Sequence, residues 1–336
     1  MGLSGRYWPI HLKPLPDELL SSWILRVARG HGLRPYSFCH AVWPGTPVLN
    51  RDIDRKPTAT VLTTMARRTA TDLSRTVATT LPAYEGWLCE HFETSGKTHW
   101  VLGNGLVARL RRNPSLQFCP LCLAADYEPY YRRAWRLALF TTCVHHAVRL
   151  LDRCPSCGHA LVPFQATHPS CCAHCGFDLA FAEAVPADWH ALIGDRESAD
   201  ILVRGWAVLG DQPFARSHLY FDLLRCVCST IAIGRRSQGL RNIIADRWGG
   251  SRRAPTFATG ARELEMMGVE DRHRIFGLAR RAMVGWPFRF IGACADSDVW
   301  ASWAQRSGGP MPYAYADPVR YYLTRAGPGP RRPAGR

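Results

Sequence analysis

Cys119-Pro-Leu-Cys122, Cys143-Val-His-His146, Cys154-Pro-Ser-Cys157 and Cys172-Ala-His-Cys175 gather four pairs of metal-ligand residues into one stretch of this 336-residue chain. Two ligands two residues apart let a tight turn aim both side chains at one tetrahedral ion about 2.0 to 2.3 Å away. Eight ligands suffice for two closed sites, and the expected ions are two Zn2+. The simplest allocation is sequential: Cys119, Cys122, Cys143 and His146 hold one ion, and Cys154, Cys157, Cys172 and Cys175 hold the other. An interleaved cross-brace would exchange the middle pairs. Gly158 and Gly176 each follow the second Cys of a pair, where a zinc-ribbon knuckle needs a positive φ, and this favours the sequential form. His145 could stand in for His146, and Cys171 for Cys172. With every position filled by protein, the sites read as structural.

Disulfides are the competing use for so many cysteines. Thirteen Cys without a secretory signal predict a reducing, cytoplasmic compartment instead. Cys39, Cys89, Cys226, Cys228 and Cys294 are scattered, as small buried apolar residues would be. No apolar run approaches the roughly 18 residues that a membrane span requires.

The run Phe118 to Leu123, with Asp126, Pro129-Tyr130, Trp135-Arg136-Leu137, the pair Cys143 and His146, Leu150 and Cys154-Pro-Ser-Cys157-Gly158, resembles the zinc-binding core of the TniQ family. The segment from Pro14-Leu15-Pro16-Asp17-Glu18 to Trp23 resembles that family's opening motif. Trp286-Pro287 with Arg289-Phe290 carries a weaker likeness further on. The resemblance implies a transposon target-selection protein that engages target DNA or a CRISPR effector complex, recruits an AAA+ ATPase regulator and leaves chemistry to a transposase. It also allows a homodimer.

The composition points the same way. Forty-two basic against 27 acidic residues give a net charge of +15, which suits a polyanionic partner such as DNA. Lys13, Lys56 and Lys97 are the only lysines, so nearly all of the charge is Arg, the residue suited to bidentate phosphate contact.

Four segments are expected. Residues 1–113 form an amino-terminal helical domain. Pro14 and Pro16 keep the chain extended, Asp17 caps a helix over 18–30, Gly30 and Gly32 flank a turn, and 34–43 form a second helix, a helix-turn-helix-like arrangement. A further helix covers 58–79. Residues 114–185 are the tandem zinc module, with Tyr130 to Phe140 as a helix between its first two knuckles. Residues 186–326 form an all-α bundle with helices over 197–209, 216–234, 237–248, 259–267 and 270–284. Residues 327–336 are a disordered tail. The fold class is therefore mainly α.

Candidate nucleic-acid contacts are Arg26, Arg29, Arg34, Arg67, Arg68, Arg111, Arg112, Arg132 and Arg133. The basic pairs Arg235-Arg236, Arg252-Arg253 and Arg280-Arg281 are expected on exposed positions. Gly96-Lys97-Thr98 imitates the end of a phosphate loop, but His91 stands where that motif needs Gly, so ATP binding gains no support. An enzyme acting on DNA would need clustered carboxylates for divalent metal. Asp17-Glu18 and Asp296 with Asp298 read as caps or solvated charge, so catalysis is not expected. A stand-alone zinc-dependent transcription regulator is the alternative function. The ATPase-recruiting surface is expected on Pro14 to Trp23.

Overall fold

The computed structural model describes residues 6–103, 115–166, 168–234, 236–257, 263–305 and 311–324. The fold is mainly α, with two short antiparallel strand pairs among the described residues. In the amino-terminal part, α1 (Leu20–Gly30) and α2 (Pro35–Val42) form a hairpin. Next come α3 (Ala59–Arg68) and α4 (Leu73–Val77). The expected single helix over 58–79 is broken at Ala70, whose φ of 50° takes the backbone into the left-handed region. Trp8, Trp23, Ile24, Phe38, Trp43 and Met65 build one small core here.

In the metal-binding segment, α5 (Pro120–Ala125) precedes β1 (Thr142–Cys143) and β2 (Val148–Arg149). The carboxyl-terminal part holds α6 (Trp189–Arg204), a hairpin of β3 (Ala207–Leu209) and β4 (Gln212–Phe214), α7 (Ser217–Ala232), α8 (Ser237–Trp248) and α9 (Val269–Met283). It ends with α10 (Phe288–Asp296), α11 (Ala301–Ala304) and α12 (Tyr313–Leu323). One large core joins the metal-binding segment to these helices, running from Phe118 and Leu150 through Phe221 and Phe276 to Leu323.

Several expectations change. Tyr130 to Phe140 is not an α-helix: only Arg133–Arg136 makes a 3-10 turn, and its neighbours are extended. Their backbone is engaged elsewhere, because Glu18 bridges Arg132 and Val101 bridges Leu137 in antiparallel fashion. Residues 207–209 continue α6 as a strand, since Gly205 at φ 81° ends the helix. Of the helix expected over 259–267, the described part is a 3-10 turn at Leu264–Met266. The expected tail at 327–336 lies outside the described residues.

Asp17 is not a helix cap, because α1 has no side-chain cap. Asp17 sits at φ 54°, and its carboxylate accepts from Arg133 Nε at 2.9 Å and Ala134 N at 3.1 Å. Glu18 is fully buried and accepts from Arg26 (2.8 Å), the Leu15 amide (2.9 Å) and Ser22 Oγ (3.0 Å). Arg136, also buried, pairs with Asp52 at 2.6 Å and Asp54 at 3.3 Å and donates to Leu102 O. The opening motif and the segment between the first two knuckles are therefore bolted together by charge.

The carboxyl-terminal helices grip the metal-binding segment in a similar way. Buried Asp195 of α6 accepts from the Thr141 and Thr142 amides, both at 2.8 Å. His273 of α9 accepts at Nε2 from the Asp188 amide (2.9 Å), so its Nδ1 proton faces Thr141 Oγ1 at 3.1 Å. Arg272, fully buried in the same helix, donates to Ala138 O and Gln117 Oε1.

Two measurements test this frame. Removing one partner of a buried ion pair strands the other, so Arg136→Ala should cost on the order of 3–5 kcal/mol in urea unfolding of metal-saturated protein. An exposed Arg34→Ala control should change stability by less than about 0.5 kcal/mol; equal losses from the two would remove the clasp. Burial lowers His273 from 6.5 to about 4, so its neutral form supports the fold above 6.5, and that support is lost as pH falls through about 4. His273→Gln should remove about 3 kcal/mol of acid sensitivity over that window relative to wild type. Superimposable stability-versus-pH curves would contradict it; the metal sites contribute to both curves and cancel in the difference.

Candidate metal centres and nucleic-acid face

The first cluster brings together Cys119, Cys122, Cys143 and His146. Cys119 lies just before α5 and Cys122 within it, while Cys143 and His146 flank the turn between β1 and β2. His146 Nδ1 lies 3.6, 3.3 and 3.5 Å from the sulfurs of Cys119, Cys122 and Cys143, and Cys122 and Cys143 Sγ are 3.5 Å apart. A tetrahedral zinc ion would set sulfur–sulfur edges of about 3.8 Å and sulfur–nitrogen edges of about 3.6 Å. The residues fit the ion, with His146 ligating through Nδ1.

The second cluster is Cys154, Cys157, Cys172 and Cys175, with sulfur separations of 3.6 Å (Cys154 to Cys175) and 3.7 Å (Cys157 to Cys172). These exceed the roughly 2.05 Å of a disulfide, and all the cysteines are free thiols. Gly158 and Gly176 adopt φ 71° and 75°, and each amide returns to the carbonyl of the first Cys of its knuckle at 2.9 Å. The grouping is sequential. His145 is exposed and outside the first cluster, and Cys172 rather than Cys171 joins the second. The two sites differ in access: the first has three buried cysteines, whereas Cys175 of the second is exposed.

The arginine expectations divide. Arg26 is buried, held by Glu18 and by Glu128 at 2.7 Å, and cannot reach a ligand on the surface. Arg132 is committed to Asp126 through two hydrogen bonds of 3.0 and 2.8 Å and lies over the Tyr130 and Trp135 rings. Arg133 pairs with Asp17 and lies over Tyr84. Burial corrects the expectation for Arg26, while half-buried Arg132 and Arg133 are held by carboxylates and aromatic rings. Arg111 and Arg112 lie outside the described residues. Arg29 is half-buried, Arg68 half-buried, and Arg34 and Arg67 exposed. Among the described residues, Arg34, Arg67 and Arg68 form no ion pair, and neither does exposed Arg51, which was not among the expected contacts.

Several carboxyl-terminal arginines are paired, whereas exposed Arg196, Arg204, Arg216, Arg289 and Arg320 form no ion pair among the described residues. Arg236 meets Asp298, Arg252 meets Asp246, Arg253 meets Glu270, Arg280 meets Glu197 and Arg281 meets Asp188. Arg281 is buried rather than exposed, and Arg235 lies outside the described residues. The expected docking surface at Pro14 to Trp23 is also corrected: Leu19, Leu20 and Trp23 are buried, with the Trp23 indole donating to Leu12 O.

Metal analysis of folded protein should find two zinc per chain. Cys122→Ser and Cys157→Ser should each release one ion and lower solubility, since binding and folding are coupled. Fewer than about 1.5 zinc per folded wild-type chain would exclude two sites.

No protein of curated function matches the chain. The TniQ family model matches residues 9–150, which span the helical hairpin, the charge clasp and the whole first metal cluster. Residues 9–150 are therefore similar to a TniQ domain, the domain of transposition-associated targeting proteins.

Proposed function

We propose that this chain is a non-catalytic target-selection factor of DNA transposition that contacts DNA directly and recruits an AAA+ ATPase regulator. The observation that carries the DNA contact is where unpaired positive charge remains. Among the described residues, Arg34, Arg51, Arg67 and Arg68 stay without ion pairs on the amino-terminal helical part, inside the stretch that matches the TniQ family model, while exposed Arg196, Arg204, Arg216, Arg289 and Arg320 are unpaired outside that stretch. Arg34 immediately precedes α2, whose Tyr36, Ser37 and His40 are exposed. A helix N-terminus flanked by Arg suits phosphate contact, and its polar face suits a groove.

The metal clusters support a scaffold role. Each offers four protein ligands to one ion, which leaves no position for a reacting water. Bridging to the ATPase, directly on DNA or through a CRISPR effector complex, is what the family suggests.

The test is DNA affinity against salt. Six phosphate contacts would lose on the order of a thousandfold in affinity between about 50 and 200 mM salt. Arg34→Ala/Arg67→Ala/Arg68→Ala should weaken binding and lower the slope by about 0.9 per lost contact, while Arg280→Ala leaves it unchanged. A flat salt response, or a triple variant that binds like wild type, would overturn direct contact through this face and favour targeting through another protein.

A further inference from the structure

The second cluster carries two histidines that its own ion does not use. His159 follows the first knuckle and His174 lies inside the second, between Cys172 and Cys175. Both are exposed, and their rings stack with centroids 3.6 Å apart and planes 13° apart. Donor atoms of Cys157, His159 and His174 lie within 4.8 Å of one another. His159 Nδ1 lies 3.1 Å from Cys157 O, and a carbonyl can only accept, so the ring proton is on Nδ1 and Nε2 keeps its lone pair. Such a backbone bond is the usual device that fixes the tautomer and direction of a metal-binding imidazole.

Charge favours a cation at the same place. Four thiolates around one divalent ion carry a formal charge of about −2, and each bound thiolate retains lone pairs. The cluster is also the open one, with Cys175 exposed and Cys157 half-buried.

We infer that Cys157, His159 and His174 form a third, surface metal site that takes a labile divalent transition-metal ion, zinc as the probe, with the Cys157 sulfur shared between the two ions and water completing the coordination. The inference rests on the second cluster holding its own ion. Exposed side chains must close by about 1 Å from their present spread to reach tetrahedral edges. With only two imidazoles of its own, the ion should bind more weakly than the two enclosed ones. It would be the first lost to a competing chelator.

The experiment uses the full chain loaded with zinc and titrated against a chromogenic chelator of micromolar affinity. Wild type should surrender a third equivalent while retaining two, and His159→Gln/His174→Gln should hold two equivalents and release none in that range, with an unchanged circular dichroism spectrum. A wild type that never exceeds two equivalents, or a third equivalent that survives in the double variant, would overturn the site. Fewer than two retained equivalents in wild type would instead break the reading of the Cys clusters, and with it the basis for a shared sulfur.

Discussion

Arg136 holds the fold together at the point where water is excluded. Its guanidinium is almost wholly buried and meets Asp52 and Asp54 from the amino-terminal part, while its backbone belongs to the segment between the first two knuckles. A buried charge without its partner costs several kcal/mol, so neither side can occupy its place alone. Glu18 with Arg26, and Asp17 with Arg133, repeat the arrangement within the same seam. The opening motif and the residues around Trp135 are thus two halves of one electrostatic joint.

On this joint the metal clusters are set against the carboxyl-terminal helices. Asp195 and His273 reach the strand that carries Cys143, and Arg272 enters the core under Gln117. The enclosed first cluster is therefore tied to both halves of the molecule. The second is more open, with Cys175 exposed and Cys157 half-buried.

The net charge alone does not locate a nucleic-acid surface. Arginine serves both as an internal clamp and as a phosphate contact, because its planar fork satisfies a carboxylate and a phosphate equally well. In this chain the internal use dominates around the metal clusters, and among the described residues arginines without ion pairs remain on the amino-terminal part, at Arg34, Arg51, Arg67 and Arg68, and on the carboxyl-terminal part, at Arg196, Arg204, Arg216, Arg289 and Arg320.

What the sequence determined was local. Ligand pairs at fixed spacing, with Gly158 and Gly176 behind them, specify knuckles through a few consecutive residues, and apolar periodicity specified α1, α7, α8 and α9 close to their observed ends. The tertiary structure decided what depends on distant partners. Tyr130 to Phe140 has helical periodicity, yet its backbone hydrogen bonds go to Asp17, Trp100 and Leu102, over 30 residues away along the chain. Arg26, Arg132 and Arg133 resemble surface charge in sequence, and only their meeting with Glu18, Asp126 and Asp17 buries the first and ties down the other two. Ligand geometry is written in neighbouring residues, whereas the fate of a charge is set by which opposite charge the fold brings within 3 Å of it.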